Sequence, residues 1–260
     1  PGFLNFKLTK KAWIKTIKDI FKIKKKFGSN KKNEKFNIEF VSANPTGPMH
    51  VGHCRGAGSV KDSLLAGMDM ILHGTYMDEE GLELMIDKNI PLVPTFTFQA
   101  NLIDYAERMD ASKDYKDIFE KEIQDNVPMF RKAFEAGVPF LCGSETGFSV
   151  TPYGDWHYKE LEVFVDKLGL TPLEAITCGT KNASQAMRRD DIGVIAEGKV
   201  ADLLVLSENP SKDVSVLGNK ELIEKVFLSG KEVDLHPAPK RIKDPSGWRI
   251  SSYSNKILEK

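Results

Sequence analysis

The chain has 260 residues, of which 41% are hydrophobic and 28% charged, with no formal net charge. This composition is typical of a soluble protein of one or two domains with a sizeable core. No apolar run reaches the roughly 20 residues of a membrane-spanning helix, and no signal-peptide pattern opens the sequence. The three cysteines, Cys54, Cys142 and Cys178, form no CxxC pair. We therefore expect a cytoplasmic protein with no disulfide framework, no cysteine zinc site and no membrane contact.

Positive charge is concentrated at the start of the chain. Residues 1–36 contain twelve lysines against Asp19 and Glu34, so this segment carries +10 and the remainder −10. A basic arm on an acidic body indicates contact with nucleic acid, but a solvated lysine-rich surface has the same composition. Both interpretations stay open from charge alone.

The first elements are a helix and a strand. Apolar residues recur at helical spacing from Lys10 to Phe27 with lysines between them, which predicts an amphipathic basic helix. Residues 37–41 alternate between polar and apolar and predict a strand. Residues 42–48, with two prolines and a glycine, predict a loop.

Short apolar strands then alternate with helices. The predicted strands are 68–72, 92–96 and 138–142, and the predicted helices are 61–65, 78–88, 115–134 with an interruption at Pro128, 158–168, and one capped by Thr171. This alternation predicts parallel βαβ units, whose functional side chains lie at the carboxyl ends of the strands. His73 and Glu145 both follow predicted strands. Residues 203–206 and 226–233 instead predict a small antiparallel sheet with a turn at Ser229 and Gly230.

Several segments resemble metal-dependent amidohydrolases of the imidazolonepropionase-like and Xaa-Pro-dipeptidase-like kinds. The resemblance begins with the HCRG, LAGMD and LHG segments, and continues through VPT, GSETG, LTPLEAI and GKVADLLVL; these lie at 53–56, 65–69, 72–74, 93–95, 143–147, 170–176 and 198–206. It covers roughly the stretch from His53 to Val233. The two histidines are separated by twenty residues, which suits one helix and one strand.

The resemblance implies a divalent metal site, with zinc the expected ion. His53 and His73 match the metal-ligand positions after strands five and six of that family's barrel. Glu145 stands where the family usually has aspartate, an acid that binds metal and carries a proton from the metal-activated water to the leaving amine. The extra methylene of glutamate displaces the carboxylate by about 1.5 Å. His157 matches a substrate-contacting position or a helix-capping one, and the implied substrate is a small amide or dipeptide.

The start of the chain resembles a second family, the arginyl-tRNA synthetases. Residues 2–6 and 37–53 match, including an NPTGP loop followed by His50-Val51-Gly52-His53, which is the class I HIGH motif with valine in place of isoleucine. The resemblance implies that Asn44, Thr46, His50 and His53 bind ATP, and that tRNA is a partner. It extends over residues 1–57, and no KMSKS-type loop or anticodon-binding region is recognised.

The two resemblances meet around His53, which predicts a chimeric chain. We expect an α/β fold in which the C-terminal half of a TIM-type (β/α) barrel, incomplete as a barrel, is joined to a partial β-sandwich and an N-terminal basic helix. The expected segments are a synthetase-like 1–57, a half barrel 53–190, a partial sandwich 191–236 and a polar tail 237–260.

The predicted function is metal-dependent hydrolysis of an amide C–N bond by an incomplete site. The family's HxH pair and bridging lysine are not recognised in this sequence. The alternatives are a synthetase fragment that uses ATP, or an inert fusion. Open edges of an incomplete barrel would also favour self-association.

Overall fold

The computed structural model describes residues 9–24, 60–107, 113–145, 151 and 156–235. They fall into two compact units, with helix α1 (Lys10–Ile23) in one and the described residues from 60 onward in the other. Helix α1 begins where the Thr9 side chain accepts a hydrogen bond from Ala12 N at 3.2 Å. The predicted basic helix is thus observed. Its expected extension to Phe27 lies outside the described residues.

Two short parallel strands organise the larger unit. Strand β1 (Ile71–Leu72) pairs with β2 (Leu92–Val93), and Leu92 forms a parallel bridge with Phe140 on its other side. Helix α3 (Glu79–Lys88) connects the two strands, and the Asp78 side chain caps it by accepting a hydrogen bond from Gly81 N at 2.7 Å. The parallel βαβ arrangement is therefore confirmed. The predicted third strand is wrong as a strand, since only the Phe140 bridge forms there.

The larger unit contains further helices. They are α2 (Val60–Leu65), α4 (Thr97–Asp104), α5 (Lys113–Glu135), α6 (His157–Val163), α7 (Pro172–Thr177) and α8 (Ala183–Ala186), with π-helical turns at Phe164–Leu168 and Cys178–Asn182. The predicted cap of α7 is confirmed, because Thr171 and Glu174 form a reciprocal capping box with Pro172 at the first helical position.

Helix α5 continues through Pro128, so the predicted interruption there is wrong. Proline removes the backbone hydrogen bond to the residue four positions earlier, and this weakens the helix locally. Ile123, Phe130 and Ala133 lie on both sides of Pro128 and are all buried. Their packing against the core holds the two halves of the helix in line.

The end of the described chain forms a three-stranded antiparallel sheet. Its strands are β3 (Leu203–Leu206), β4 (Ile223–Leu228) and β5 (Lys231–Glu232), in that order. Ser229 and Gly230 both have positive φ, which is the backbone of the tight hairpin turn predicted from the sequence. The 3₁₀ turn Val214–Gly218 lies between β3 and β4 and packs against α6, with Val214 and Val216 buried.

Phe140 occupies the centre of the larger unit's core. Its side chain is fully buried, and its ring lies edge-on to the rings of Phe130, Phe134 and Phe164, with centroids 6.3, 5.5 and 6.1 Å away. Aromatic pairs favour this geometry. In the described part of the chain, no helix is long and apolar enough to cross a membrane.

Candidate active site

His73 lies directly after β1, at the carboxyl end of the parallel sheet. Its backbone N–H donates to Val93 O at 2.8 Å, so strand pairing fixes its position. Its φ is 66°, a conformation that residues other than glycine rarely adopt. The next residue, Gly74, has no room for a side chain, because a Cβ at this position would lie 2.5 Å from Leu92 Cδ1. The His73 side chain is 17% exposed and is therefore held mainly by protein groups.

A chain of hydrogen bonds assigns the tautomer of His73. The Thr95 hydroxyl donates to Pro94 O at 2.6 Å, so its oxygen is free to accept at the 2.5 Å contact with His73 Nδ1. Nδ1 must then carry the proton, and in the neutral ring Nε2 carries the lone pair. A hydrogen bond from one ring nitrogen that leaves the other as a Lewis base is the usual arrangement of metal-binding histidines.

Glu145 lies after the Phe140 bridge, on the same edge of the sheet as His73. The turn that carries it packs tightly, since a Cβ on Gly143 would lie 2.3 Å from Val93 Cγ1. The buried Thr151 hydroxyl donates to Glu145 O at 2.9 Å and fixes the backbone, which has φ 50°. Glu145 Oε1 is 3.9 Å from His73 Nε2. Two electron-pair donors thus face one another.

This pair suits one divalent ion, with a small adjustment. Zinc lies about 2.1 Å from imidazole and carboxylate donors, so two ligands of a tetrahedral site are about 3.4 Å apart. The observed 3.9 Å is slightly longer, and the Glu145 side chain, 36% exposed, has room to move. Within the described ranges, no group of three or more His, Cys, Asp or Glu side chains is able to hold a metal. The predicted third ligand, His53, lies outside those ranges, as do His50, Asn44 and Thr46.

His157 is the first residue of α6 and is exposed. Its Nδ1 is 3.2 Å from Ser144 Oγ, which links it to the turn that carries Glu145. The Cys142 thiol also donates to His157 O at 3.5 Å, and burial raises the pKa of that thiol, so it stays protonated. His157 is therefore positioned beside the candidate site. The N-cap of α6 is Trp156 and not His157, so the predicted helix-capping role is not observed, and substrate contact stays a prediction.

Two residues of the site were not predicted from the sequence. Thr95 was part of a matched segment without an assigned role, yet it fixes the His73 ring. Glu160 is fully buried and accepts hydrogen bonds from Phe96 N and Thr97 N in the turn after Thr95. Burial raises the pKa of Glu160 to about 7, although the hydrogen bonds from this turn lower it. The sequence signal that could have identified Glu160 is a glutamate among the buried positions of α6, beside Leu161 and Val163.

A family profile described as the amidohydrolase family matches residues 46–233 of the sequence. The chain belongs to the amidohydrolase family. Ochratoxinase from Aspergillus niger is 30% identical over 184 residues, covering 69% of this chain and 36% of that relative. In structure, a putative prolidase from Bifidobacterium longum superimposes with a TM-score of 0.59 at 29% identity, covering 71% of this chain and 46% of that one. This amidohydrolase thus spans less than half of these relatives.

The second predicted resemblance is also found. Arginine–tRNA ligase from Anaplasma marginale (strain St. Maries) is 50% identical over 70 residues, covering 25% of this chain and 12% of the ligase. The short match is closer in identity than the amidohydrolase match, but it covers a much smaller part of either chain. One chain therefore carries similarity to two families, as the sequence predicted.

Proposed function

We propose that this amidohydrolase carries part of a metal site for hydrolysis of an amide C–N bond, within the C-terminal half of a TIM-type barrel. The observation that carries the proposal is the 3.9 Å separation of His73 Nε2 from Glu145 Oε1 at the carboxyl end of the parallel strands. Catalytic groups of (β/α) barrels lie at this end. His53, whose sequence position matches a further ligand, completes the proposed set.

Each described residue has a distinct role in this proposal. His73 would hold the ion through Nε2, and Thr95 holds the ring in that orientation. The ion supplies Lewis-acid activation of a water molecule when it is bound. Glu145 accepts the proton that this water releases as it adds to the amide carbon, and donates it to the nitrogen as the C–N bond breaks. His157 contacts the substrate.

The relatives support a proposal for the class of substrate. Ochratoxinase and the prolidases are both among the proteins that this chain resembles, and a solved Xaa-Pro dipeptidase with 30% identity contains methionine in its active site. We propose a small amide or dipeptide as substrate. Zinc is the proposed ion, because imidazole and carboxylate ligands suit it.

A His73→Ala variant is expected to abolish zinc binding. The substitution removes the one described imidazole that presents a lone pair toward Glu145, and two remaining ligands would leave the ion weakly held. Isothermal titration calorimetry of the apo-protein with zinc measures this as the loss of a single site. His157→Ala is the matched control, because His157 is assigned to the substrate and should leave zinc affinity unchanged. Equal zinc affinity in the wild-type and His73→Ala proteins would contradict the proposal.

Turnover by the zinc-loaded chain on dipeptides and N-acyl amino acids is expected to stay near background. The HxH pattern is absent from the 260 residues, so few ligands surround the ion. Any turnover that is detected should disappear in Glu145→Gln, which keeps the size of the side chain but cannot carry the proton. Turnover that survives in both Glu145→Gln and His73→Ala would place the chemistry elsewhere.

The ligase match supports a second candidate function, binding of ATP through the His50–His53 segment. Most of a nucleotide-binding fold is not recognised in the sequence, so calorimetry with ATP and magnesium is expected to show no saturation in the micromolar range. Micromolar affinity that is lost in His50→Ala and kept in His157→Ala would favour the ligase-like function, with tRNA as a partner, over the hydrolase.

A further inference from the structure

Glu160 is a charged side chain in an unusual place. It lies in helix α6, and none of its surface is exposed to solvent. Glutamate is almost never fully buried unless its carboxylate is paired or hydrogen-bonded. The steps proposed for hydrolysis do not use it, so its burial calls for a separate physical explanation.

The carboxylate of Glu160 is occupied by the segment that leads into helix α4. Oε1 accepts from Phe96 N at 2.9 Å, and Oε2 accepts from Thr97 N and from Thr97 Oγ1, both at 2.7 Å. Helix α4 begins at Thr97, and Phe96 at its N-cap offers no side-chain hydrogen bond. Glu160 therefore does from another helix what a capping residue normally does: it satisfies the first N–H groups and complements the positive end of the helix dipole.

This segment starts with Thr95, whose backbone is strained. Its φ is 60°, and β-branched residues adopt this region only when the surrounding structure imposes it. The strained conformation places Thr95 Oγ1 2.5 Å from His73 Nδ1. The N–H groups of the next two residues, Phe96 and Thr97, donate to Glu160. The Glu160 carboxylate therefore fixes the backbone immediately after Thr95.

We infer that Glu160 is a positioning residue for His73. Its buried carboxylate holds residues 95–97 in the conformation that presents the Thr95 hydroxyl to the imidazole, and this fixes the proton on Nδ1 and the lone pair on Nε2. The expected effect of Glu160 on metal affinity rests on the function proposed above. The expected effect on the tautomer of His73 is independent of that function, because the tautomer is a property of the metal-free protein.

The test is the Glu160→Gln variant, observed by ¹⁵N NMR of the imidazole nitrogens in the metal-free protein at a pH above the raised pKa of Glu160, so that the wild-type carboxylate is ionised. Glutamine has nearly the same shape, but it has one acceptor oxygen instead of two, and its NH₂ group would face a backbone N–H donor. In the wild type, His73 should show one protonated nitrogen, Nδ1, and one pyridine-type nitrogen, Nε2. In Glu160→Gln this distinction should be lost, with both nitrogens averaging between the two tautomers. Zinc affinity should fall by up to about 10-fold to 100-fold, the usual effect of removing an outer-shell partner, because Thr95 would no longer hold the His73 ring.

Glu162→Gln is the matched control. Glu162 lies on the same helix and pairs with Lys159 at 3.1 Å, away from residues 95–97, so its removal should leave both His73 signals unchanged. An unchanged His73 spectrum in folded Glu160→Gln overturns the inference. If that variant does not fold, Glu160→Asp replaces it: the carboxylate is kept but its reach is shorter by one methylene, and unchanged His73 signals would again overturn the inference. The two proposals can also fail separately. If the His73 spectrum changes in Glu160→Gln while His73→Ala leaves zinc binding unchanged, the positioning role is supported and the proposed hydrolase is rejected.

Discussion

A Phe140→Ala substitution is expected to lower the free energy of unfolding by about 3–5 kcal/mol, the usual cost of removing a buried phenylalanine ring. The ring is fully buried and lies edge-on to three other phenylalanine rings, so its loss opens a cavity bounded by aromatic groups. The three rings belong to two separate elements, α5 and the π-helical turn Phe164–Leu168, and these cannot both move inward together. The cavity will therefore close only in part.

Chemical denaturation, followed by tryptophan fluorescence and by circular dichroism, measures this loss. Phe21→Ala is the matched control, because Phe21 is 76% exposed and the same atoms are removed from a helix surface. Surface substitutions usually change stability by less than about 0.5 kcal/mol. Equal midpoints for the two variants would mean that Phe140 is not the centre of the core.

Local sequence signals predicted those elements whose stability is local. The Asp78 cap, the Thr171 capping box and the Ser229–Gly230 turn all depend on residues a few positions apart, and all three are confirmed. Helix α4 was not predicted, because its start has no capping side chain of its own and is capped by Glu160 from 63 residues away. The continuation of α5 through Pro128 likewise depends on tertiary packing that no local pattern reveals.

The site likewise has residues that local sequence predicts and residues that only the tertiary structure reveals. His73 and Glu145 were predicted because each follows a short apolar strand in a matched segment, and parallel strands bring their carboxyl ends together. The structure places these two side chains 3.9 Å apart. Thr95 could not be assigned a role from the sequence, since its contact with His73 depends on a positive φ that is unfavourable for threonine. Strain of this kind is imposed by the surrounding fold, and it concentrates at functional sites.

Stability should also depend on pH through Glu160. Burial raises the pKa of Glu160 from an ordinary value of 4.5 to about 7, against the opposing effect of its hydrogen bonds with Thr97 and Phe96. Between these two values the folded chain binds more protons than the unfolded chain. The free energy of unfolding must then fall as pH rises. The full Glu160 contribution is present below pH 4.5 and is lost once pH exceeds about 7, a loss of about 3 kcal/mol from the ratio of the two ionisation constants.

The groups around Glu160 leave the sign of this effect unchanged. The Cys142 thiol interacts electrostatically with Glu160, and its own raised pKa keeps it neutral throughout the window. Lys159, the preceding residue, is paired with Asp104 at 2.7 Å and with Glu162, and these carboxylates keep its pKa raised despite burial. Lys159 therefore stays charged from acid to neutral pH. Its effect on the free energy of unfolding does not change with pH in this window.

The measurement compares how steeply the free energy of unfolding falls with rising pH in the wild type and in Glu160→Gln. Urea denaturation at about pH 5 and about pH 8 gives the free energy of unfolding for each protein, and groups other than Glu160 contribute equally to the pH dependence of both proteins. Glutamine cannot ionise, so the variant should lose less stability than the wild type as pH rises, with the two slopes separated by up to about 3 kcal/mol across the window. Glu162→Gln, which removes an ion pair with Lys159 instead, should keep the wild-type slope. If the free energy of unfolding changes with pH equally in the wild type and in Glu160→Gln, the carboxylate is already ionised in the folded protein at low pH. Its hydrogen bonds to the 95–97 turn would then outweigh the cost of its burial.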